Sequence, residues 1–308
     1  MTLKLETPEL KPPAPPTTDY ASLFPLVQKP SRYIGGEWNS VRRDASFRSD
    51  AVGVCLCFPD LYETGFANAG IEILYRVVNA VPGAYAERAY AADSDLAASL
   101  RQRGWPLFSL ETRTPLSRFD IVGFGLPYEL CFTNVLEMLD LSRIPIHAAE
   151  RRKEDPLVIG GGPCVVNPEP LADFFDGFVI GDGEEIFGEI IACVKEWKSS
   201  GAERADLLKS LARIEGFYVP SLYRVDYLPD GRVRSVAPSR AGVPASVAYR
   251  RASLEKLEAP VVPFVQTVHD RLNVEIQRGC PWRCRFCQAG FSYRPYRERS
   301  KDELLEII

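Results

Sequence analysis

Val52-Gly53-Val54-Cys55-Leu56-Cys57-Phe58 is an almost uninterrupted apolar run, and a helical apolar pattern follows it from Ile71 to Val78. A short continuous apolar run predicts a strand that is buried on both faces. Further strand patterns follow at residues 85–90, 120–126, 157–159 and 177–180, and further helical patterns at residues 95–103, around 134–139 and at 185–197. This alternation predicts a parallel sheet covered by helices on both faces, a doubly wound α/β domain of flavodoxin-like type over residues 50–200.

Four loops directly follow predicted strands of this domain, and they contain acidic residues and glycines. Ligands of open parallel sheets bind off the carboxyl ends of the strands, where glycine allows close approach of the backbone. Ordinary turn chemistry is the alternative explanation for any one of these glycines. Taken together, the loops predict a binding crevice, and its candidate residues are Asp60, Glu129, Gly161, Gly162 and Gly183.

The segments on either side of this domain have weaker patterns. Residues 1–49 begin with a proline-rich stretch and are predicted to be a partly disordered leader. Residues 201–268 contain a helical pattern from Leu207 to Ile214, a hairpin signal at Asp230-Gly231 and an irregular connector.

The stretch Gly279-Cys280-Pro281-Trp282-Arg283-Cys284-Arg285-Phe286-Cys287 carries three cysteines at a C-x3-C-x2-C spacing. Three thiolates on one loop are a ligand set for three irons of a 4Fe–4S cluster, and they leave the fourth iron open. A structural zinc site is one alternative, with His269 as the fourth ligand. Disulfides are disfavoured because no secretory signal precedes the chain. Simple core thiols are the remaining alternative.

The five other cysteines have apolar or loop surroundings. Cys55, Cys57 and Cys193 lie in apolar strand or helix patterns and are predicted to be core thiols. Cys131 and Cys164 lie nearer the predicted crevice, and structural roles are favoured for both.

The sequence around the cysteine loop predicts one β/α unit. Residues 272–278 alternate between apolar and polar and predict a strand, whereas Ser300-Lys301-Asp302-Glu303 is a capping box that opens a helix. A strand, a ligand loop and a helix over residues 269–308 are the opening unit of a parallel (β/α) barrel, with the chemistry at the carboxyl end of the strand. One such unit leaves strand edges unpaired, so we expect the chain to be a fragment of a longer protein or to be completed by a partner chain.

The cysteine spacing, with Phe286 just before the third cysteine, resembles the radical S-adenosylmethionine (SAM) superfamily. The resemblance implies that Cys280, Cys284 and Cys287 bind a 4Fe–4S cluster whose open iron is chelated by SAM, and that Phe286 packs near SAM. It also implies an electron donor of flavodoxin or ferredoxin type and radical-initiated hydrogen abstraction from a substrate that the sequence does not identify.

The N-terminal domain resembles the cobalamin-binding-type domain of a group of radical SAM proteins, through Phe58-Pro59-Asp60-Leu61-Tyr62-Glu63, Gly161-Gly162-Pro163 and Asn167-Pro168-Glu169-Pro170. The resemblance implies cobalamin in the crevice and methyl transfer as a reaction. Tyr62 stands where the family's cobalt-binding histidine stands, and neither His147 nor His269 replaces it by sequence position. We therefore expect any bound cobalamin to lack a histidine ligand from this chain, and a scaffold that no longer binds cobalamin is the alternative.

Charge and hydropathy bear on whether the chain binds nucleic acid or spans a membrane. The formal net charge of −4 gives no general electrostatic case for nucleic-acid binding. The sequence has no run of about 18 apolar residues, so no membrane span is predicted. We expect a cytoplasmic enzyme. A non-catalytic binding or interaction module with a metal-binding tail is the alternative.

Overall fold

The computed structural model describes residues 18–41, 51–254, 260–269 and 271–307. The proline-rich stretch of the predicted leader lies outside the described residues. The strands are β1 Val52–Phe58, β2 Ala84–Tyr90, β3 Ile121–Gly125, β4 Leu157–Gly161, β5 Gly177–Val179, β6 Phe217–Tyr218, β7 Tyr223–Tyr227, β8 Val233–Pro238, β9 Gln277–Arg278 and β10 Arg297–Glu298. The α-helices are α1 Tyr62–Gly65, α2 Ala69–Ala80, α3 Ser94–Arg103, α4 Phe132–Leu141, α5 Glu184–Ser200, α6 Arg204–Leu211, α7 Ala289–Ser292 and α8 Lys301–Ile307.

The central sheet has six strands in the order β2-β1-β3-β4-β5-β6. Strands β1 to β5 are parallel, and β6 pairs antiparallel with β5 at the edge. The order 2-1-3-4-5 is that of flavodoxin-like doubly wound domains, so the predicted fold class is confirmed. The two-residue strand β6 has no apolar run long enough to be recognised in the sequence.

Strand β1 shows why its sequence is apolar throughout. All seven of its residues are buried. Leu56 and its alternate neighbours pack into one core with α2 and α5, whereas Cys55 and Cys57 pack into a second core with α3 and α4 on the other face. A strand covered on both faces needs apolar residues at every position because neither face meets water.

Two helices of the domain show end signals that are visible in the sequence. The side chain of Asn68 accepts a hydrogen bond from the backbone of Ile71 and caps α2, and Asp93 caps α3 in the same way. Helix α3 ends at Gly104, whose φ of +61° is a left-handed conformation that suits glycine.

Part of the predicted leader packs against the domain. Residues 20–26 form a 3₁₀ helix in which Tyr20 and Leu23 are buried, and Leu23 is in contact with the core on the α3 side of the sheet. The hydroxyl of Tyr20 donates a hydrogen bond to the carbonyl oxygen of Pro106 at 3.0 Å. Residues 20–26 therefore pack against this domain, and the predicted domain boundaries stay predictions.

The segment before the cysteine loop is less regular than the sequence predicts. Only Gln277–Arg278 of the expected strand 272–278 is a strand, and it pairs antiparallel with Arg297–Glu298. Leu272 and Ile276 are more than half exposed. A strand needs a lateral partner for its backbone groups, and the described chain places no second strand beside residues 272–276.

Two other C-terminal predictions are confirmed. Helix α8 begins after Ser300, whose hydroxyl accepts a hydrogen bond from the backbone of Glu303, while the Glu303 carboxylate accepts one from the backbone of Ser300 at 2.7 Å. Strands β7 and β8 form the hairpin expected from Asp230-Gly231. In the part of the chain that the structure describes, no helix combines the length and apolar character needed to cross a membrane.

Candidate functional site

A cavity of about 240 Å³ opens at the carboxyl ends of the central strands, between α2 and α5. Strands β1 and β3 are neighbours there, at the point where the strand order reverses, which is where doubly wound domains bind ligands. The lining is mostly apolar and glycine-rich, and its residues are Leu56, Phe58, Asn68, Gly70, Ile71, Leu74, Gly123, Phe124, Gly125, Leu126, Pro127, Ile159, Gly160, Gly161, Gly162, Pro163, Val179, Gly181, Gly183 and Phe187. We call this cavity the glycine crevice.

Three of the five predicted crevice residues meet in it. Gly161, Gly162 and Gly183 all line the glycine crevice, although they come from two different loops. A β-carbon on Gly161 would have its nearest neighbour, the Val179 Cβ, at 4.0 Å, so this position faces open space. Gly162 has a φ of +101°, a conformation that other residues rarely adopt.

The two predicted acidic residues do not line the glycine crevice. Asp60 accepts a hydrogen bond from the backbone of Leu61 at 2.7 Å and a short one from the hydroxyl of Tyr128. Glu129 is exposed and lies just before α4. Sequence reasoning placed both at the correct edge of the sheet, but a loop position does not reveal which way a side chain points.

Tyr62, the residue in the histidine position, is directed into the protein. Its hydroxyl donates a hydrogen bond to Glu37 Oε1 at 3.1 Å, and Glu37 Oε2 lies 3.0 Å from Nη2 of Arg88. Arg88 also pairs with Glu111, with Nε 2.7 Å from Oε1, and all three charged side chains are almost fully buried. Burial and the nearby Glu37 raise the pKa of Tyr62.

The two histidines of the chain lie apart from the glycine crevice. His147 is exposed in the connection from α4 to β4, at the amino end of the sheet, and its ring lies 5.2 Å from that of Phe174. His269 lines a different cavity, of about 260 Å³, together with Phe66 and Glu72. Neither ring lines the crevice.

The cysteine loop folds back on itself. The backbone N–H of Cys280 donates to the carbonyl of Tyr293 at 3.1 Å, and that of Cys287 donates to the carbonyl of Cys284 at 3.1 Å. A β-carbon on Gly290 would lie 2.0 Å from the carbonyl oxygen of Trp282, so only glycine permits this close approach. Backbone hydrogen bonds and this close contact therefore fix the conformation of the cysteine loop.

The thiols of this loop are accessible for a metal centre. Cys284 is exposed, and Cys280 and Cys287 are partly exposed. Phe286 is 93 % exposed on the same loop. Among the described residues, no three His, Cys, Asp or Glu side chains are gathered into a metal-binding group. The donor set, three free thiols on one loop, matches in number and type the ligands of three irons.

The cysteine loop meets the rim of the glycine crevice. Arg278, two residues before Cys280, places Nη1 2.6 Å from Oε1 of Glu184 and 3.3 Å from Oδ1 of Asp182. A third cavity, of about 280 Å³, is lined by crevice residues such as Gly183 and by Arg278 and Tyr293, which flank the cysteine loop. The crevice and the loop are thus adjacent, and sequence analysis did not predict this contact.

Burial and neighbouring charge shift the pKa values of Glu184 and Arg278 in opposite directions. Burial raises the pKa of Glu184, whereas the charge of Arg278 opposes that shift. Burial acts to lower the pKa of Arg278, but hydrogen bonds and the charges of Glu275 and Glu184 outweigh it and raise this pKa. Both results are typical of a desolvated ion pair.

Four of the five thiols predicted to be structural, Cys55, Cys57, Cys131 and Cys164, are buried, whereas Cys193 is partly exposed. Cys55 and Cys57 are fully buried, with their Sγ atoms 3.8 Å apart, and burial raises the pKa of Cys55. Burial also raises the pKa of Cys164 to about 11. Thiols with raised pKa values are protonated near neutral pH and are poor nucleophiles and ligands.

Comparisons with known proteins add to this geometry. The family described as the N-terminal region of radical SAM proteins matches residues 70–220. An uncharacterized protein of Methanocaldococcus jannaschii, MJ0966, is 28 % identical over 207 residues, which cover 65 % of this chain and 37 % of the relative. Among solved structures, the radical SAM methyltransferase TsrM from Kitasatospora setae, determined with tryptophan substrate and a SAM analog, matches 83 % of this chain and 44 % of its own length. Its identity is 18 % and its TM-score 0.42, a distant likeness. The chain spans less than half the length of both proteins.

Proposed function

Because the chain belongs to the radical SAM proteins, through an N-terminal domain matched over residues 70–220, we propose that it serves a radical SAM enzyme as the part that holds two cofactors side by side. Cys280, Cys284 and Cys287 hold a 4Fe–4S cluster on the cysteine loop. The glycine crevice holds the second cofactor, for which cobalamin is the candidate. The substrate is a separate molecule that the described residues do not identify.

The observation that carries this proposal is the contact between the loop and the crevice. Arg278 is bound to Glu184 and Asp182 on the crevice rim and lies two residues before the first cysteine. A chain in which the cysteines served only as a flexible metal-binding tail has no need for this contact. Adjacent binding places shorten the path between two reacting cofactors and restrict their orientation.

The chain's own residues act as ligands and as walls in this proposal. The thiolates of Cys280, Cys284 and Cys287 would hold the cluster and leave it open to SAM. Phe286, which is 93 % exposed beside Cys287, provides an apolar surface for SAM. When bound, the cluster supplies the electron that cleaves SAM reductively. The exposed Arg283 and Arg285 offer a positive surface to an electron donor of flavodoxin or ferredoxin type.

Cobalamin suits the crevice because of its place and lining. The crevice lies at the strand-order reversal, where this type of sheet binds cofactors, and a β-carbon on Gly161 of its lining would face open space. Tyr62 is turned away from it and bound to Glu37, so a cobalamin in the crevice has no lower ligand from the first loop. Methyl transfer is the reaction that would use both cofactors.

Anaerobic reconstitution with iron and sulfide tests the cluster assignment. We expect a broad absorbance near roughly 400 nm, the region of thiolate-bound iron. Cys280→Ala, Cys284→Ala and Cys287→Ala should each abolish it. Cys193→Ala is the matched control because Cys193 is also partly exposed but lies on α5, and it should leave the absorbance unchanged. Stoichiometric zinc without iron uptake in anaerobically purified protein would contradict the assignment.

A further inference from the structure

We propose that Asp182 is a positioning residue that fixes both ends of the cysteine loop to the rim of the glycine crevice. The proposal rests on the proposed function in one respect, that the loop holds a cluster. The contacts themselves are independent of that assignment, because they are made by residues that precede and follow the three cysteines.

The two ends of the cysteine loop meet in a short ladder. Arg278 and Arg297 are direct partners in the antiparallel pairing of β9 with β10, and the cysteines lie between them in the chain. Both arginines turn to the same carboxylate. Asp182 Oδ1 lies 3.3 Å from Nη1 of Arg278, and Asp182 Oδ2 lies 2.6 Å from Nη1 of Arg297.

Three further contacts complete the arrangement. The backbone N–H of Ala252 donates to Asp182 Oδ2 at 2.9 Å. Arg297 Nη1 also donates a short hydrogen bond to the carbonyl of Ala252. Glu184 Oε1 lies 2.6 Å from Nη1 of Arg278 and provides a second negative charge. Asp182 itself is 8 % exposed, so its charge is largely removed from water.

The ladder depends on this carboxylate for physical reasons. Like charges directly opposite each other on two strands destabilise their pairing. A two-stranded ladder of two residues per strand is also marginal without outside support. A buried carboxylate between the two arginines neutralises their repulsion and anchors both strands at once.

The position of Asp182 is set by the crevice loop. Gly181 and Gly183, its two neighbours, both line the glycine crevice. Gly181 has a φ of +119°, and a β-carbon there would lie 2.1 Å from the carbonyl oxygen of Arg250. Gly181 and Gly183 thus line the crevice, while Asp182 between them holds the base of the cysteine loop, which sets the orientation of the loop relative to the crevice.

Asp176 provides a matched control within the same protein. It is 3 % exposed, lies 3.0 Å from Nη1 of Arg151 and 2.9 Å from Nη2 of Arg204, and accepts a hydrogen bond from the backbone of Val158. Asp176 thus has the same kinds of partners as Asp182, namely two arginine side chains and one backbone N–H. It directly precedes β5, at the amino end of the sheet, away from the cysteine loop.

Hydrogen exchange of the metal-free chain is the first test. In Asp182→Asn, amides in residues 277–299 should exchange at least about tenfold faster, which corresponds to a loss of about 1.4 kcal/mol in local stability. Asp176→Asn should leave this segment unchanged. Unaltered exchange of residues 277–299 in folded Asp182→Asn would overturn the proposal. If Asp182→Asn fails to fold, Arg297→Gln takes its place with the same expected and contradicting outcomes.

The reduction potential of the reconstituted cluster is the second test, and it separates positioning from general destabilisation. Asp182→Asn removes a negative charge near the cluster and should shift the potential to a more positive value, whereas Arg297→Gln should shift it to a more negative one. Asp176→Asn should not move it. Potential shifts of the same sign in Asp182→Asn and Arg297→Gln would overturn the proposed role of Asp182.

The two tests keep the proposals distinct. If the wild-type chain binds no iron but Asp182→Asn accelerates exchange, the proposed function fails and the contact of Asp182 with the loop stands. If iron binds and Asp182→Asn changes neither exchange nor potential, the positioning role fails and the proposed function stands.

Discussion

The hydroxyl of Tyr62 donates a hydrogen bond to Oε1 of Glu37, 3.1 Å away, inside the protein. Glu37 in turn is held by Arg88, whose second partner is Glu111. The segment that follows β1 is therefore attached to a buried charge cluster. Tyr62, which stands where the related domains have their cobalt-binding histidine, serves here as an anchor to that cluster. This relationship explains why the crevice lacks a metal-binding side chain from that loop.

The first prediction concerns the lower ligand of cobalamin. If cobalamin binds, its cob(II)alamin form should show no nitrogen splitting from the protein, because Tyr62 is turned inward and neither histidine lines the crevice. Electron paramagnetic resonance with a cobalamin analogue that lacks its own base measures this. A three-line nitrogen splitting that disappears in His147→Ala or His269→Ala would contradict the prediction.

The second prediction tests the glycine crevice by filling it. A side chain on Gly161 would enter open space, since the nearest atom to its β-carbon is 4.0 Å away. Gly161→Val should therefore keep the stability of the domain and weaken cobalamin binding at least about tenfold, or 1.4 kcal/mol. Spectroscopic titration with cobalamin measures the affinity, and thermal unfolding measures the stability.

The control for this variant is Gly188→Val on α5. A β-carbon on Gly188 meets nothing within 4 Å, and Gly188 does not line the glycine crevice. It should bind cobalamin as the wild type does. Equal affinity in Gly161→Val and Gly188→Val would show that the crevice is not the binding place.

The third prediction concerns the buried charge cluster. Arg88→Met leaves the carboxylates of Glu37 and Glu111 buried without their cation, so the free energy of unfolding should fall by about 3–5 kcal/mol. Arg101→Met is the comparison, because Arg101 makes a half-exposed pair with Glu137 at 3.0 Å and should cost less than about 1 kcal/mol. Urea unfolding followed by circular dichroism measures both, and similar losses would contradict the prediction.

The fourth prediction concerns alkaline pH. Burial raises the pKa of Tyr20 to about 12 from 10.0, while the charge of Arg143 opposes the shift. A folded-state pKa above the unfolded one means that the stabilising contribution is present below pH 10 and is lost as the pH rises through 12. Two pKa units correspond to up to about 2.7 kcal/mol.

Tyr20→Phe should therefore lose less stability than the wild type between pH 9 and about pH 12, as measured by denaturant unfolding at several pH values. Tyr227→Phe, a change in a tyrosine that is 63 % exposed on the β7–β8 hairpin, should follow the wild-type curve. Parallel curves for Tyr20→Phe and the wild type would show that the phenol of Tyr20 does not titrate with a raised pKa.

Local signals account for the predictions that the structure confirmed. The apolar run of β1 and the capping box at Ser300 each act within a few residues, so their effect is visible in the chain itself. The expected strand over residues 272–278 had a local pattern as well. It is only two residues long because pairing needs a second strand alongside, which a local pattern does not contain.

The sequence by itself determined the alternation of strands and helices, the glycines of the crevice and the three cysteines of the loop. These features depend on residue type and on periodicity along the chain. Only the tertiary structure decided that Asp60 lies outside the crevice, that Tyr62 points to Glu37, and that Asp182 joins Arg278 to Arg297. The physical reason is that charge pairing and side-chain direction depend on distances between residues that are far apart in the chain, such as 182 and 297, and no local pattern encodes those distances.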